Sequence, residues 1–308
     1  MSQSDRTTLD YGNRPSAGAE LKSAARDTRS WLERRGSSLW IEALVILACL
    51  LFLAPIVLMF FTSFKPDEEI LNFTGLLPDD PKRGWQENYS YLFTSGEAPI
   101  LRWLFNSVFI STSVTLLVLT VDSMAAFALS RLELPGGKYV FAVIIATLMV
   151  PGQILLVPIY LILNGLGWLD SPAALIFPAG AGAFGVFLLW SFFQGIPREL
   201  EEAAAIDGAG KWRIYWNIML PLARPAMATL GIFVFVGSWN DFLGPLVFLD
   251  SVTQWTLPVG VAQFQTSYFY EYGLTLAASS VTTLPVLIAF LFLHRHIIEG
   301  ISLGGLKG

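Results

Sequence analysis

The residues able to do chemistry are few and unevenly placed. Arg198 to Ala226 reads RELEEAAAIDGAGKWRIYWNIMLPLARPA, an acid-rich insertion between two long apolar runs. Two further acids, Asp122 and Asp241, stand inside apolar runs, where an ionisable group raises a functional hypothesis by default. Asp241 follows Trp239 and Asn240 in GSWNDFLGPL. An amide, a carboxylate and an indole side by side either suit a hydroxyl-rich ligand on a translocation path, or cap and bridge helices. Asp122 lies nearer the other end of its run and is expected to reach the interface or a basic partner. One acid without a chain of ionisable partners is no proton relay. His294 and His296 read as an interfacial cluster, and with a single cysteine, Cys49, there is neither a disulfide framework nor a thiolate metal cluster. No metal site is expected. The nearest thing to a phosphate loop is GAGKW at 208–212. A Walker A site needs glycine where Ala205 stands and Ser or Thr where Trp212 stands, so this chain has no nucleotide site of its own.

The elements that must position these residues are membrane spans. Of the 308 residues, 54% are hydrophobic and 14% charged, with a mean hydropathy of +0.58, well to the apolar side of soluble domains. A bilayer core takes about 20 apolar residues of helix. Six stretches supply them, at 40–62, 104–129, 139–163, 172–195, 224–248 and 274–295. The expected fold is therefore all-α: a six-helix transmembrane bundle. Its parts are a polar tail at 1–37, a first helix with an outer loop at 38–103, a core of five helices at 104–295 with the charged insertion at 196–223, and a second tail at 296–308. The first 37 residues have no apolar core, so they read as a disordered or loosely helical tail rather than a signal peptide.

Orientation follows from Lys and Arg. Seven lie in the first tail, two between the second and third spans (Arg131, Lys138), four in the insertion (Arg198, Lys211, Arg213, Arg224) and two at the end (Arg295, Lys307). The other segments keep Lys65, Lys82, Arg83 and Arg102. The positive-inside rule then places both termini and the insertion in the cytoplasm. Pro55, Pro151, Pro158, Pro178, Pro245 and Pro285 fall in or at the ends of these spans, where each removes a backbone hydrogen bond. Gly180, Gly182 and Gly185 read first as close helix packing and second as a flexible gate.

Within the insertion, Pro197 suits a helix start, and Glu199, Glu201 and Glu202 favour its positive end. Gly208 fits the left-handed position that ends it. Leu200, Ala203 and Ala204 make a narrow apolar face, thin enough for a partner's cleft. Asp207 opposes the helix dipole, so it either caps a following helix or pairs with a basic group on a partner. Trp212, Tyr215, Trp216 and Met219 form a stripe suited to a helix entering through lipid headgroups.

The order Glu202, Ala203, Ala204, three residues, Gly208, nine residues, Ile218, one residue, Leu220, Pro221 resembles the EAA loop of the inner-membrane permease subunits of binding-protein-dependent ABC importers, with no gap or substitution at the motif positions. ELEEAAAIDGA, SFKPDEEI, ALSRLELPG and the closing GGLKG resemble the carbohydrate, MalG-like branch, with similarity from about residue 40 onward. The resemblance implies a type I permease whose loop is a coupling helix docked on a separate ATPase. Glu202, Ala203, Ala204, Asp207 and Gly208 would make that contact. It also implies a MalF-like second permease subunit, two cytoplasmic ATPase subunits that use ATP and Mg, and an extracytoplasmic sugar-binding protein, in lipid and without nucleic acid. No cofactor is expected on this chain, and no enzymatic activity. The outer segments 64–103 and 249–273 would meet the binding protein, the second reaching into it, with Trp255, Phe264, Tyr268, Phe269 and Tyr270 as the candidate contacts. Asp122 departs from the family pattern, where a small or neutral residue is usual. The main competing account is a secondary transporter or channel driven by an ion gradient. It gives no reason for an acidic surface helix ended by glycine, and no inverted repeat is visible. An intramembrane enzyme would need a catalytic pair, whereas Asp122 and Asp241 are expected at different depths.

Overall fold

A computed structural model describes residues 17–72, 75–94, 99–264 and 271–305, with side chains between 40 and 288. The described residues are helical, without a strand. They divide at Leu58 into two units. In the first, helix α1 (Ala17–Thr62) contains a 23-residue apolar stretch, Trp40–Thr62, in which Glu42 is the one charged residue. The chain is helical from Ala17 onward, through most of the tail read as loosely helical.

The second unit is built on α2 (Ile100–Arg131), 32 residues long and thus about 48 Å from end to end. Its buried positions Ser107, Ile110, Ser111, Val114, Val118, Asp122, Ala126 and Arg131 recur at helical spacing, while Leu101, Phe105, Phe109 and Leu116 face outward. The polarity is that of a protein dissolved in lipid: serines, Asn106 and charged groups inside, large apolar side chains outside. This is an all-α helical membrane protein.

Three expected spans prove to be broken. The third is two helices, α3 (Gly137–Thr147) and α4 (Leu156–Leu166), bent by 92° through a turn at Pro151 and a 3-10 segment, rather than one rod over 139–163. The fourth has a four-residue helix at Ala173–Ile176, then an irregular stretch containing Gly180 and Gly182, and only then α5 (Ala183–Gln194). A Cβ at Gly180 would come within 2.4 Å of Leu117, so close packing, the first of the two readings of this glycine run, accounts for it. After α6 (Glu199–Ile206) and a helix at Lys211–Leu222, the fifth span, α7 (Arg224–Trp239), stops at Trp239 rather than 248. The chain turns through Asn240 and resumes at Leu243–Phe248. The last helix, α8 (Tyr272–Gly305), contains Pro285 without breaking.

The SFKPDEEI segment has its own structural reason. The Ser63 hydroxyl lies 2.7 Å from Tyr89 Oη, Asn88 Nδ2 donates to the carbonyls of Ser63 and Lys65, and Asp67 Oδ1 accepts from the Gly273 N–H at 2.7 Å, holding the start of α8. At that end of α2, Trp103 Nε1 donates to Val252 O, Asn106 Nδ2 to the carbonyls of Thr253 and Trp255, and the Leu257 N–H to Ser107 Oγ.

Nearby, Asp170 staples two loops. It adopts the left-handed region (φ 56°), donates its N–H to Phe248 O, and accepts on Oδ1 from the N–H groups of Asp250 and Ser251 and on Oδ2 from the Ser251 hydroxyl. The Ser251 hydroxyl, and then its N–H, hold the carboxyl below the usual carboxylate range. A depressed folded-state pKa stabilises above the unfolded value of about 3.9 and loses that stabilisation as pH falls through the folded value. The protection factors of the Asp250 and Ser251 amides, taken relative to intrinsic exchange at each pH, are therefore expected to be high at pH 6 and to fall in acid. Asp170→Ala should exchange fast throughout; equal protection in the variant would contradict this role.

Candidate functional site

Helix α6 is closed as its residues require. Gly208 is left-handed (φ 78°), its N–H bonds Ala205 O at 3.0 Å, and the Ala209 N–H reaches back to Ala204 O at 2.9 Å. This is a Schellman ending, with Ala204 and Ala209 packed on the same core. Pro197 stands ahead of the N-cap, Arg198, rather than in the first turn. Glu201 and Ala204 face inward, and Glu199, Glu202, Ala203 and Ile206 make the opposite face at helical spacing. Ile206 is 87% exposed, the apolar knob that the narrow face of Leu200, Ala203 and Ala204 did not include. The next helix begins at Gly210 with no side-chain cap, so Asp207 is not its cap and remains exposed.

What fixes α6 is Arg131, from ALSRLELPG. Its Nη1 lies 3.0 Å from Glu201 Oε1, with both side chains buried, and its Nη2 donates to the carbonyls of Phe193 and Ile196 at the end of α5. The contact to Glu201 is a close charge pair rather than an aligned hydrogen bond, since Glu201 Oε1 and Arg131 Nε lack hydrogen-bond partners. Glu133, left-handed at φ 50°, adds an exposed tie to Arg198 at 3.1 Å.

Nine residues back along α2, Asp122 holds the other end of α5. Its carboxylate accepts from the Gly182 N–H at 3.0 and 3.3 Å. An acid thus sits at the positive end of α5 and a guanidinium at its negative end, so the two helices run parallel and are pinned twice. Gly185 makes room: a Cβ there would lie 2.0 Å from Asp122 Oδ2. Ser123 Oγ lies 2.7 Å from Tyr215 Oη. Tyr215 and Met219 belong to this core, and only Trp212 and Trp216 of the expected headgroup stripe are exposed. Asp122 is fully buried and, among the described residues, meets the Gly182 N–H rather than the basic partner expected for it.

Asp122 and Asp241, expected at different depths, line one cavity of about 370 Å³ beside α2, α5 and α7. Asp241 also accepts from the Gly244 N–H at 3.3 Å, so capping and cavity lining coincide. Asn240 returns its amide to Val236 O at 3.0 Å and does not line the cavity. Trp239 is buried beside Phe235 and offers no indole to a ligand there. Trp255 and Phe264 are half-buried on Trp103; Tyr268, Phe269 and Tyr270 lie outside the described residues.

The family described as "Binding-protein-dependent transport system inner membrane component" matches residues 123–302. The chain belongs to this family. The permease is 37% identical over 268 residues to the diacetylchitobiose uptake system permease protein NgcG of Streptomyces coelicolor, covering 85% of this chain and 87% of that one. It is 34% identical over 259 residues to the arabinooligosaccharides transport system permease protein AraQ of Bacillus subtilis (84% and 92% covered). It is 32% identical over 266 residues to the trehalose/maltose transport system permease protein MalG of Thermococcus litoralis (85% and 94%). Its fold matches a chain of a bacterial ABC transporter that imports the acidic polysaccharide alginate, with a TM-score of 0.73 at 22% identity over 85% of this permease and 97% of that chain. It is a multi-pass membrane subunit and not itself an enzyme.

Arg131→Met leaves Glu201 buried without a counter-charge and is expected to cost about 3–5 kcal/mol, because removing one partner of a buried pair strands the other. Adding Glu201→Leu should recover much of that. Unfolding titrations of the detergent-solubilised permease check it, and additive losses in the double variant would contradict the pairing.

Proposed function

We propose that this chain is the MalG-like permease subunit of an ATP-driven carbohydrate importer, half of a translocation path that alternates access across a cytoplasmic membrane. Both termini and α6 face the cytoplasm, which the positions of Lys and Arg favour. The observation that carries the reading is α6 itself: a short surface helix with an exposed face and an inner face clamped by Arg131. A helix held in this way transmits a push to α2 and α5 instead of sliding over them.

Glu202, Ala203, Asp207 and Gly208 contact an ATPase subunit, with Ile206 as the knob that enters its cleft. Ala204, half-buried, contributes by keeping α6 close to the core. Two such ATPase subunits supply ATP hydrolysis with Mg, and a MalF-like permease forms the other half of the path. Asp241 lines the path, and Asn240 supports the turn beside it. An extracytoplasmic sugar-binding protein meets the far end of α2, near Trp255 and Phe264, and Tyr268 is placed in the same contact. The saccharides in the names of NgcG, AraQ and MalG support a carbohydrate as the solute.

In proteoliposomes holding the permeases, ATPase and binding protein, uptake should require ATP and survive an ionophore. Uptake by this chain alone, abolished by the ionophore, would overturn the proposal. Glu202→Lys, exposed and outside the core, should insert and fold as wild type yet lose about tenfold or more of its stimulated ATP hydrolysis, since a reversed charge at an interface costs several kcal/mol. Unchanged hydrolysis would remove Glu202 from the contact.

A further inference from the structure

The cavity beside α2 has more chemistry than a passage needs. Ser111, Val114, Val118 and Asp122 form its α2 wall at intervals of three and four residues, so its polar ends lie about 16 Å apart along the helix. Ser111 and Thr256 both line it, are 1% and 4% exposed, and carry hydroxyls with no hydrogen-bond partner among the described residues. A buried hydroxyl left unpaired costs about 1–3 kcal/mol, so two at one cavity point to a ligand that supplies their partners. Ser238 adds a third hydroxyl, and the two charged residues in the wall are both acids, Asp122 and Asp241, with no Lys, Arg or His among the lining residues. Asp122 is built into place: Gly182 donates to it, and Gly185 leaves the space it occupies.

We propose that this chain holds a saccharide subsite of its own, formed by Ser111, Thr256, Asp122 and Asp241, that accepts uncharged and amine-bearing sugar units and rejects acidic ones. The proposal rests on the reading that the cavity belongs to the translocation path, and it adds the charge class of the solute. Hydroxyl-rich rings supply donors and acceptors to the two orphan hydroxyls and donors to both carboxylates. A uronate or sulfate group would meet two like charges with no cation among the described lining residues to offset them, and an ammonium would be drawn in.

The test uses the full transporter complex in lipid nanodiscs, with Cys49→Ala and Ser238→Cys, at a half-buried position in the cavity wall, in this chain. Thr256→Cys serves as a second reporter should the first not assemble. Modification by a cationic methanethiosulfonate (ethylammonium) is compared with that by an anionic one (ethylsulfonate), each relative to its rate with free cysteine. The cationic reagent should be favoured by about tenfold or more, the lower end of what charge focusing in a cleft produces. Asp122→Asn and Asp241→Asn should each reduce that ratio. Glucose and glucosamine should slow modification, and glucuronate should not. Equal rates for the two reagents, a ratio unmoved by both Asn variants, protection by glucuronate equal to that by glucose, or no modification of either cysteine would overturn the subsite. ATP-driven uptake is a separate readout, so loss of this pattern with intact uptake removes the subsite and leaves the permease role standing.

Discussion

The structure turns on one guanidinium. Arg131 sits at the end of α2, buried, and reaches α6 through Glu201 and the end of α5 through the carbonyls of Phe193 and Ile196. A buried ion pair is a poor source of stability, because desolvation offsets the attraction, but it strongly penalises any arrangement in which the partners separate. That is the property a coupling element needs. Since α6 buries only a few side chains, its position would otherwise depend on alanine contacts worth little. The clamp turns it into an extension of α2.

Asp122 completes the constraint from the other side. It satisfies the N–H at the start of α5 after the irregular glycine stretch, where no helical carbonyl is available, and the missing side chain of Gly185 lets it approach. Acid at one end and guanidinium at the other leave α2 and α5 no register but one. The same carboxylate forms part of the cavity wall. The clamp on α6 and the wall of the cavity thus belong to one pinned pair of helices, without a flexible joint between.

Local rules covered most of α6. Glu199 and Glu202 stand exposed in its first turn and Gly208 is left-handed at its end, as that chemistry requires, whereas Ala204 turns inward, away from the face expected with Leu200 and Ala203. The family relation was legible for the same reason, since the motif is contiguous. Pro151 and the glycines at 180–185 were legible as weak points, but the breaks there and at Asn240 were not, because a proline or glycine in an apolar run is compatible with a straight or a bent helix. What permits the bend is a distant donor or acceptor, such as Asp122 for the Gly182 N–H. Trp239 misled for a related reason. Adjacent positions on a helix point about 100° apart, so an indole next to Asn240 and Asp241 in sequence belongs to the core behind them. The Arg131–Glu201 pair joins segments far apart in the chain, and neither residue is unusual on its own.

The central claim is that α6 and α2 move as one body. It is tested most directly by a spin-label distance between Ala205→Cys and Leu116→Cys, both exposed and outside the proposed ATPase contact, in a Cys49→Ala background of the assembled transporter. The account predicts one narrow distance that is the same without nucleotide and with ATP trapped, and that broadens when Arg131→Met is added. A distance that shifts between the two nucleotide states with Arg131 intact would contradict it.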